Sequence, residues 1–140
     1  MAGAGQRGFG LQLPDEFTAE SGMGIEAIGG GINVLVGNTI LMESHGVVIN
    51  EGEADIFCLQ NEAKTVVLIA VDWILQGIIG IAVPVKDTSR ETLGKLFEMK
   101  LRIAMISGDN QLTASRIAKL VGIDTILAEV LPGEKASEVK

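Results

Sequence analysis

The sequence predicts an α/β chain in two lobes, an antiparallel α+β lobe followed by part of a parallel-sheet lobe. Three observations predict it. Beyond about residue 87, strand-like runs alternate with helical periodicities, the signature of βαβ units. Before that point, short apolar runs flank Gly29-Gly30-Gly31, which suits a hairpin turn. The composition, 47% hydrophobic with 21% charged residues and 3 Pro over 140 residues, is that of a folded chain with room for a modest core.

Residues 1–14 carry glycines at 3, 5, 8 and 10, lack the apolar stretch of a secretory signal, and are expected to be a loose lead-in. The first lobe, 15–82, starts with apolar runs at Asp15–Ala19, Gly24–Ile28 and Ile32–Val36. Asn38 suits the N-cap of a short helix containing Leu41 and Met42, and the acidic stretch Glu51–Ala63 suits another. From Lys64 to Lys86 the chain is apolar enough to raise the alternative of a membrane span. Asp72, Gly77, Gly80 and Pro84 oppose a span, and the β-branched residues favour two strands meeting at a turn near Asp72-Trp73. In the second lobe, 83–140, the spacing of Thr88-Ser89-Arg90-Glu91 is that of a capping box opening a helix to Met99. A strand is expected over Leu101–Ile106, then the polar turn Ser107-Gly108-Asp109-Asn110 and a helix to Val121 that Gly122 ends. A further strand over Thr125–Val130 and a helix opened by Pro132 complete the expectation.

The net charge of -7 would repel a phosphate backbone, so no nucleic-acid partner is expected. The single cysteine, Cys58, can form neither an internal disulfide nor a zinc site by itself and is expected to be a small buried hydrophobe. Met99 and Met105 fall within expected core elements. His45 lacks Cys or His neighbours and suits a surface or helix-capping role better than metal ligation; no metal site is expected.

Gly22 and Gly24 permit either a tight bend or a close backbone approach to a nucleotide. Gly37 and Asn38 end a strand, where they suit either a helix cap or room and hydrogen bonds for a planar ring. Ser107-Gly108-Asp109 joins a buried strand to a helix N-terminus, where free N–H groups and the helix dipole favour an anion. Ser107 offers a hydroxyl to a phosphoryl oxygen and Gly108 a close main chain. For Asp109 two roles stand open, hydrogen-bonding neighbouring loops or helping to organise a bound metal. Lys135 is the cation that spacing offers to the same anion, although an isolated Lys is usually solvated.

Taken in order, Gly22-Met23-Gly24-Ile25, Val34-Leu35-Val36-Gly37-Asn38, Gly46-Val47-Val48-Ile49, the stretch from Lys64-Thr65 to Asp72, Gly80–Lys86, Ser107–Ala114, and Ala128-Glu129-Val130-Leu131-Pro132 with Lys135 resemble one family. They resemble the soluble ATP-binding and phosphorylation region of heavy-metal P-type ATPases, nearest the copper-transporting branch. The resemblance implies that 15–82 is the C-terminal part of a nucleotide-binding lobe, with Gly22, Gly24, Ile25, Gly37 and Asn38 lining its pocket. It implies that 83–140 is the N-terminal part of a haloacid-dehalogenase-like phosphorylation lobe, with Ser107, Gly108 and Asp109 as its phosphate loop and Lys135 as its phosphate-contacting lysine. ATP and Mg²⁺ are implied as cofactors. The implied partners are the remainder of a transporter, with its membrane spans and actuator domain, at the cytosolic face of a membrane; the copper or other heavy-metal ion is not bound here.

The departures are specific. The sequence contains no Asp-Lys-Thr-Gly-Thr, no Ser-Glu-His-Pro-Leu and no Gly-Asp-Gly-x-Asn-Asp. Where relatives have Ala-Asp-x-Val-Lys, this chain has Ala82-Val83-Pro84-Val85-Lys86, and Ala63 replaces a glycine before Lys64-Thr65. Without an acceptor aspartate or held magnesium, the isolated chain is expected not to turn over ATP. The alternative is a truncated, non-catalytic nucleotide-binding or interaction module.

Overall fold

The computed structural model describes Gly8 and residues 13–82, 85–131 and 133–135. The element order is β1 (Glu16–Glu20), β2 (Gly24–Gly29), β3 (Ile32–Gly37), α1 (Thr39–Ser44), a 3₁₀ turn at Asn50–Gly52, α2 (Glu53–Asn61), β4 (Lys64–Val71) and β5 (Ile74–Ala82). There follow α3 (Asp87–Glu98), β6 (Ala104–Ile106), α4 (Gln111–Val121) and β7 (Thr125–Leu127).

The five strands β1 to β5 form one antiparallel sheet in sequence order, and β6 pairs with β7 in parallel. Two tight turns explain the first sheet. Gly30 and Gly31 both take left-handed φ (60° and 79°), the conformation that matches the twist of a two-residue hairpin. Asp72 and Trp73 repeat it between β4 and β5 at φ 48° and 62°. There the aspartate side chain assists, because Oδ1 accepts from Asn33 N–H at 3.0 Å while Asp72 N–H donates to Asn33 O at 2.9 Å. Residues 64–82 therefore form a β-hairpin, and among the described residues no helix is long and apolar enough to cross a membrane.

Alternation of period two decides which face is covered. In β3, Asn33, Leu35 and Gly37 are buried; in β4, Val66, Leu68 and Ala70 are. Leu35, Leu68, Leu41 and Met42 are wholly buried and, with Val47 and Ile56, form the core between the sheet and helices α1 and α2. Asn38 caps α1 as expected, its Oδ1 accepting from Leu41 N–H at 3.0 Å. Asn38→Ala is expected to cost about 1 kcal/mol, read as a lowered urea midpoint with an unchanged slope.

Further along, Asn110 caps α4, accepting from Thr113 N–H at 3.0 Å, and Gly122 ends that helix at φ 77°. Five expectations change. The helix expected from Thr88 begins at Asp87 with Lys86 as its N-cap and no side-chain cap bond, so the Thr88–Glu91 box does not form. Glu91 instead pairs with Lys95 at 2.7 Å, one turn further along. The strand expected from Leu101 starts at Ala104, with Leu101 half exposed and, among the described residues, no strand opposite it. The strand expected to reach Val130 stops at Leu127, because Glu129 takes φ 59° and the chain turns back, its N–H donating to Asp109 O at 2.9 Å. Cys58 is exposed on α2, where Ile56 takes the core position, and Met99 is exposed at the end of α3. Pro132, Val83-Pro84 and most of residues 1–14 lie outside the described residues.

Candidate functional site

At one end of the sheet the chain makes a tight turn at 21–23, and β3 ends beside it. Gly24 and Gly37 are register partners there. A Cβ on Gly24 would lie 2.3 Å from Val36 O and 2.5 Å from Gly37 Cα; one on Gly37 would lie 2.4 Å from Met23 O and 2.5 Å from Leu41 Cδ2. The space that side chains would take here is filled by the facing strand and by Leu41, so both glycines are required by the protein's own packing. Asn38 is equally committed. Besides capping α1, its Nδ2 donates to Gly22 O at 3.0 Å and its N–H to Met23 O at 2.9 Å, fastening the turn to the helix.

The 107–110 turn supplies the other half of the site. Ser107 follows β6, and its hydroxyl donates to Asp109 Oδ2 at 2.9 Å while accepting from Asp109 N–H at 3.1 Å. The other carboxylate oxygen, Oδ1, accepts from Thr65 Oγ1 in β4 at 3.0 Å. A second bridge runs alongside, Thr113 Oγ1 donating to Lys64 O at 3.2 Å, and a third joins Arg116 to Asn61 at 2.6 Å. These three contacts hold α4 and the 107–110 turn against the start of β4 and the end of α2.

The result is one cavity of about 550 Å³ bounded by both halves. Gly22, Gly24, Ile25, Gly37 and Asn38 are on its wall, together with Gly108 and Asp109. Ser107 sits behind the wall, bonded to Asp109. Lys135 is off the wall in the exposed 133–135 turn, its N–H donating to Leu131 O at 3.3 Å. Leu131 does line the cavity, and Val130 N–H donates to Ser107 O at 3.1 Å, so the chain bearing Lys135 returns to the same corner as Ser107. Gln60, Thr65, Val67 and Glu129 also line the cavity, and spacing does not single them out. Thr65 follows Lys64 within a motif, but only the folded chain brings it to Asp109, 44 residues away. A separate groove of about 510 Å³ between α2 and β5 contains none of the expected residues.

His45 is the C-cap of α1, with Nδ1 3.1 Å from Leu41 O and Nε2 3.9 and 3.8 Å from Glu20 and Glu26, in keeping with the capping role. Lys64 is turned away from the cavity into a 2.6 Å pair with Glu62. The hydrogen bond and charge of that ammonium hold the Glu62 carboxyl below its ordinary 4.5, so the pair survives at neutral pH and is lost only as pH falls through the lowered value.

For a nucleoside the wall is suitable, with aliphatic Ile25, Val36 and Val67 against a planar base and the polar Gln60 and Thr65 within the same cavity. Magnesium is a different matter: among the described residues no group of three His, Cys, Asp or Glu side chains converges on a point.

The two sheets and the turn between β6 and α4 define a fold class that comparison with known proteins identifies. The family model for haloacid dehalogenase-like hydrolases matches residues 3–138, and the chain belongs to that family. Within it, the sequence is similar to the heavy-metal P-type ATPases. It is 42% identical over 142 residues to a copper-exporting P-type ATPase of Bacillus subtilis (strain 168), covering 97% of this chain and 17% of the relative. It is 41% identical over 124 residues to one of Staphylococcus aureus (strain MW2), covering 88% and 16%. The chain thus spans about a sixth of the length of these relatives. Two solved structures share the fold over 97% of this chain. One is a zinc-transporting PIB-type ATPase (TM-score 0.54, 24% identity, 22% of that chain). The other is the catalytic domain of the CPx-ATPase CopB-B (TM-score 0.63, 16% identity, 45% of that chain).

Proposed function

We propose that this chain is part of the ATP-binding and phosphorylation region of a P-type ATPase that couples ATP hydrolysis to movement of copper or another heavy-metal ion across a membrane. Its partners on this reading are ATP, the membrane spans and the actuator domain of that transporter, and its place is the cytosolic face. The lobe boundary falls at 83–87. The observation that supports the reading best is the single cavity bounded both by the Gly22–Ile25 and Gly37–Asn38 segments and by Gly108-Asp109.

On this reading the first lobe receives the purine against Ile25, Val36 and Val67, while the turn fastened by Asn38 keeps the backbone of Gly22 and Gly24 at the wall. The second lobe presents main-chain N–H groups at the start of α4 to the phosphates, with Lys135 drawn in from the 133–135 turn to neutralise charge. The Ser107 hydroxyl is shared with Asp109 until a phosphoryl oxygen competes for it. Magnesium would arrive with the ATP phosphates and would supply neutralisation of the charge spreading over the transferred group. The acceptor carboxylate is supplied by a segment this sequence does not contain, so the isolated chain binds nucleotide and does not become phosphorylated.

Titration with ATP and Mg²⁺, followed by amide NMR, is expected to shift Gly22, Gly24, Gly37 and Gly108 together. Silence at all four overturns the proposal. In parallel, γ-labelled ATP with Mg²⁺ is expected to leave no acid-stable, hydroxylamine-sensitive label on the chain.

A further inference from the structure

We infer that the sheet face turned away from helices α1 and α2 is a contact surface for a second copy of this chain, two such faces stacking into a sandwich. The inference goes beyond the nucleotide reading and does not rest on it.

Register decides which side chains share that face. One row runs across all five strands through Phe17, Ala27, Val34, Val71 and Ile74, each the ladder partner of the next. The four charged residues of these strands, Glu16, Glu20, Glu26 and Lys64, all fall in the alternate rows, on the side of the core residues Leu35 and Leu68. An antiparallel sheet ordinarily packs one face and wets the other, with its polar residues on the wet side. Here that order is reversed, because the side that α1 and α2 do not cover carries no charge. Its one polar side chain, Thr65, is held by Asp109 at the cavity end.

The face is also open. Phe17 is 59% exposed, Ile32 48%, Ile74 64%, and Ile79 and Ile81 46% each. With the half-buried residues between them these leave on the order of 700 Å² of apolar surface, close to the roughly 800 Å² that one side of a standard protein interface buries. Monomeric proteins rarely leave so large an apolar patch in water. A second copy matches it in area, flatness and lack of charge, and two sheets stack about 10 Å apart with their strands within about 30° of each other. Since each chain has one such face among the described residues, the pairing closes as a two-fold dimer and does not propagate. No residue of the Phe17–Ile74 row lines the cavity, so a nucleotide and a second copy use different rows of the sheet.

The test is sedimentation equilibrium of the full chain from about 2 to about 200 µM, where a species of twice 14.7 kDa is expected, half formed at about 10 µM, the weak end for an interface of this area. Each copy carries a net charge of -7 and the contact none, so added salt should tighten the association, the opposite of an ion-paired interface. Phe17→Glu and Ile74→Glu each put a carboxylate into the contact and are expected to weaken it at least about tenfold. The same change at Phe57, 61% exposed on α2, should leave it unaltered. A chain that stays monomeric at about 200 µM overturns the interface. So does association that weakens with salt, that either face variant leaves intact, or that Phe57→Glu disrupts as strongly. If a face variant loses the folded amide spectrum, Ile32→Glu takes its place under the same criterion. None of these results bears on the nucleotide reading, which its own titration decides.

Discussion

Gly24→Ala is expected to lower stability by about 3 kcal/mol or more, the upper end of what forcing one extra carbon into a packed site costs. Two causes add. Gly24 has φ 152°, a conformation L side chains rarely adopt, and its Cβ would come within 2.3 Å of the Val36 carbonyl. Main chain cannot yield as a side-chain end can, so β2 must leave β3 or the turn must open. Gly30→Ala separates the causes: Gly30 also has positive φ, 60°, but nothing lies within 4 Å of an added Cβ, so strain alone applies, about 1 kcal/mol. Urea unfolding of both variants should place the Gly24→Ala midpoint well below that of Gly30→Ala. Equal midpoints would refute the packing account of Gly24.

The second large effect is expected at Asp109→Ala, about 2 kcal/mol, the scale of hydrogen bonds made to a charged group at a partly buried position. Alanine leaves the Thr65 and Ser107 hydroxyls without their acceptor and releases the 107–110 turn from β4. Thr113–Lys64 and Arg116–Asn61 remain, so the lobes stay in contact while the turn loosens. Hydrogen exchange should accelerate at 107–110 more than at Leu35 or Leu68. Uniform acceleration would mean that Asp109 holds up the whole chain and is not a local clasp.

Much of the first lobe is legible in the sequence because its signals are local. Gly29-Gly30-Gly31 fixes a hairpin through backbone freedom, Asn38 caps a helix by reaching an amide within its first turn, and the β-branched run folds back at Asp72-Trp73. The second lobe is harder to read for a physical reason. β6 and β7 have only each other as strand partners among the described residues, so apolar residues such as Leu101 lack a neighbour that would extend the strand, and the β7 end is cut by a turn at Glu129. Cys58 misleads because small size and low polarity say nothing about which side of a helix faces the sheet. Within the site, the glycines and the Ser107 turn are visible as motifs, but the reason for Gly24 and Gly37 is not. Spacing offers room for a ring, and the structure shows strands pressed together. Thr65 is hidden because its partner is distant in sequence.

The one tryptophan, Trp73, is half exposed at the tip of the β4–β5 hairpin, while the cavity opens near Thr65 at the other end of β4. With β4 running from Lys64 to Val71, the two ends of the strand stand roughly 20 Å apart at about 3.3 Å per residue. Intrinsic emission from this chain is accordingly a thermometer for the hairpin and a poor witness to anything that settles beside Gly37. A flat fluorescence trace during a nucleotide titration would say nothing about occupancy, which is why a dye or isotope reporter belongs at the glycine end.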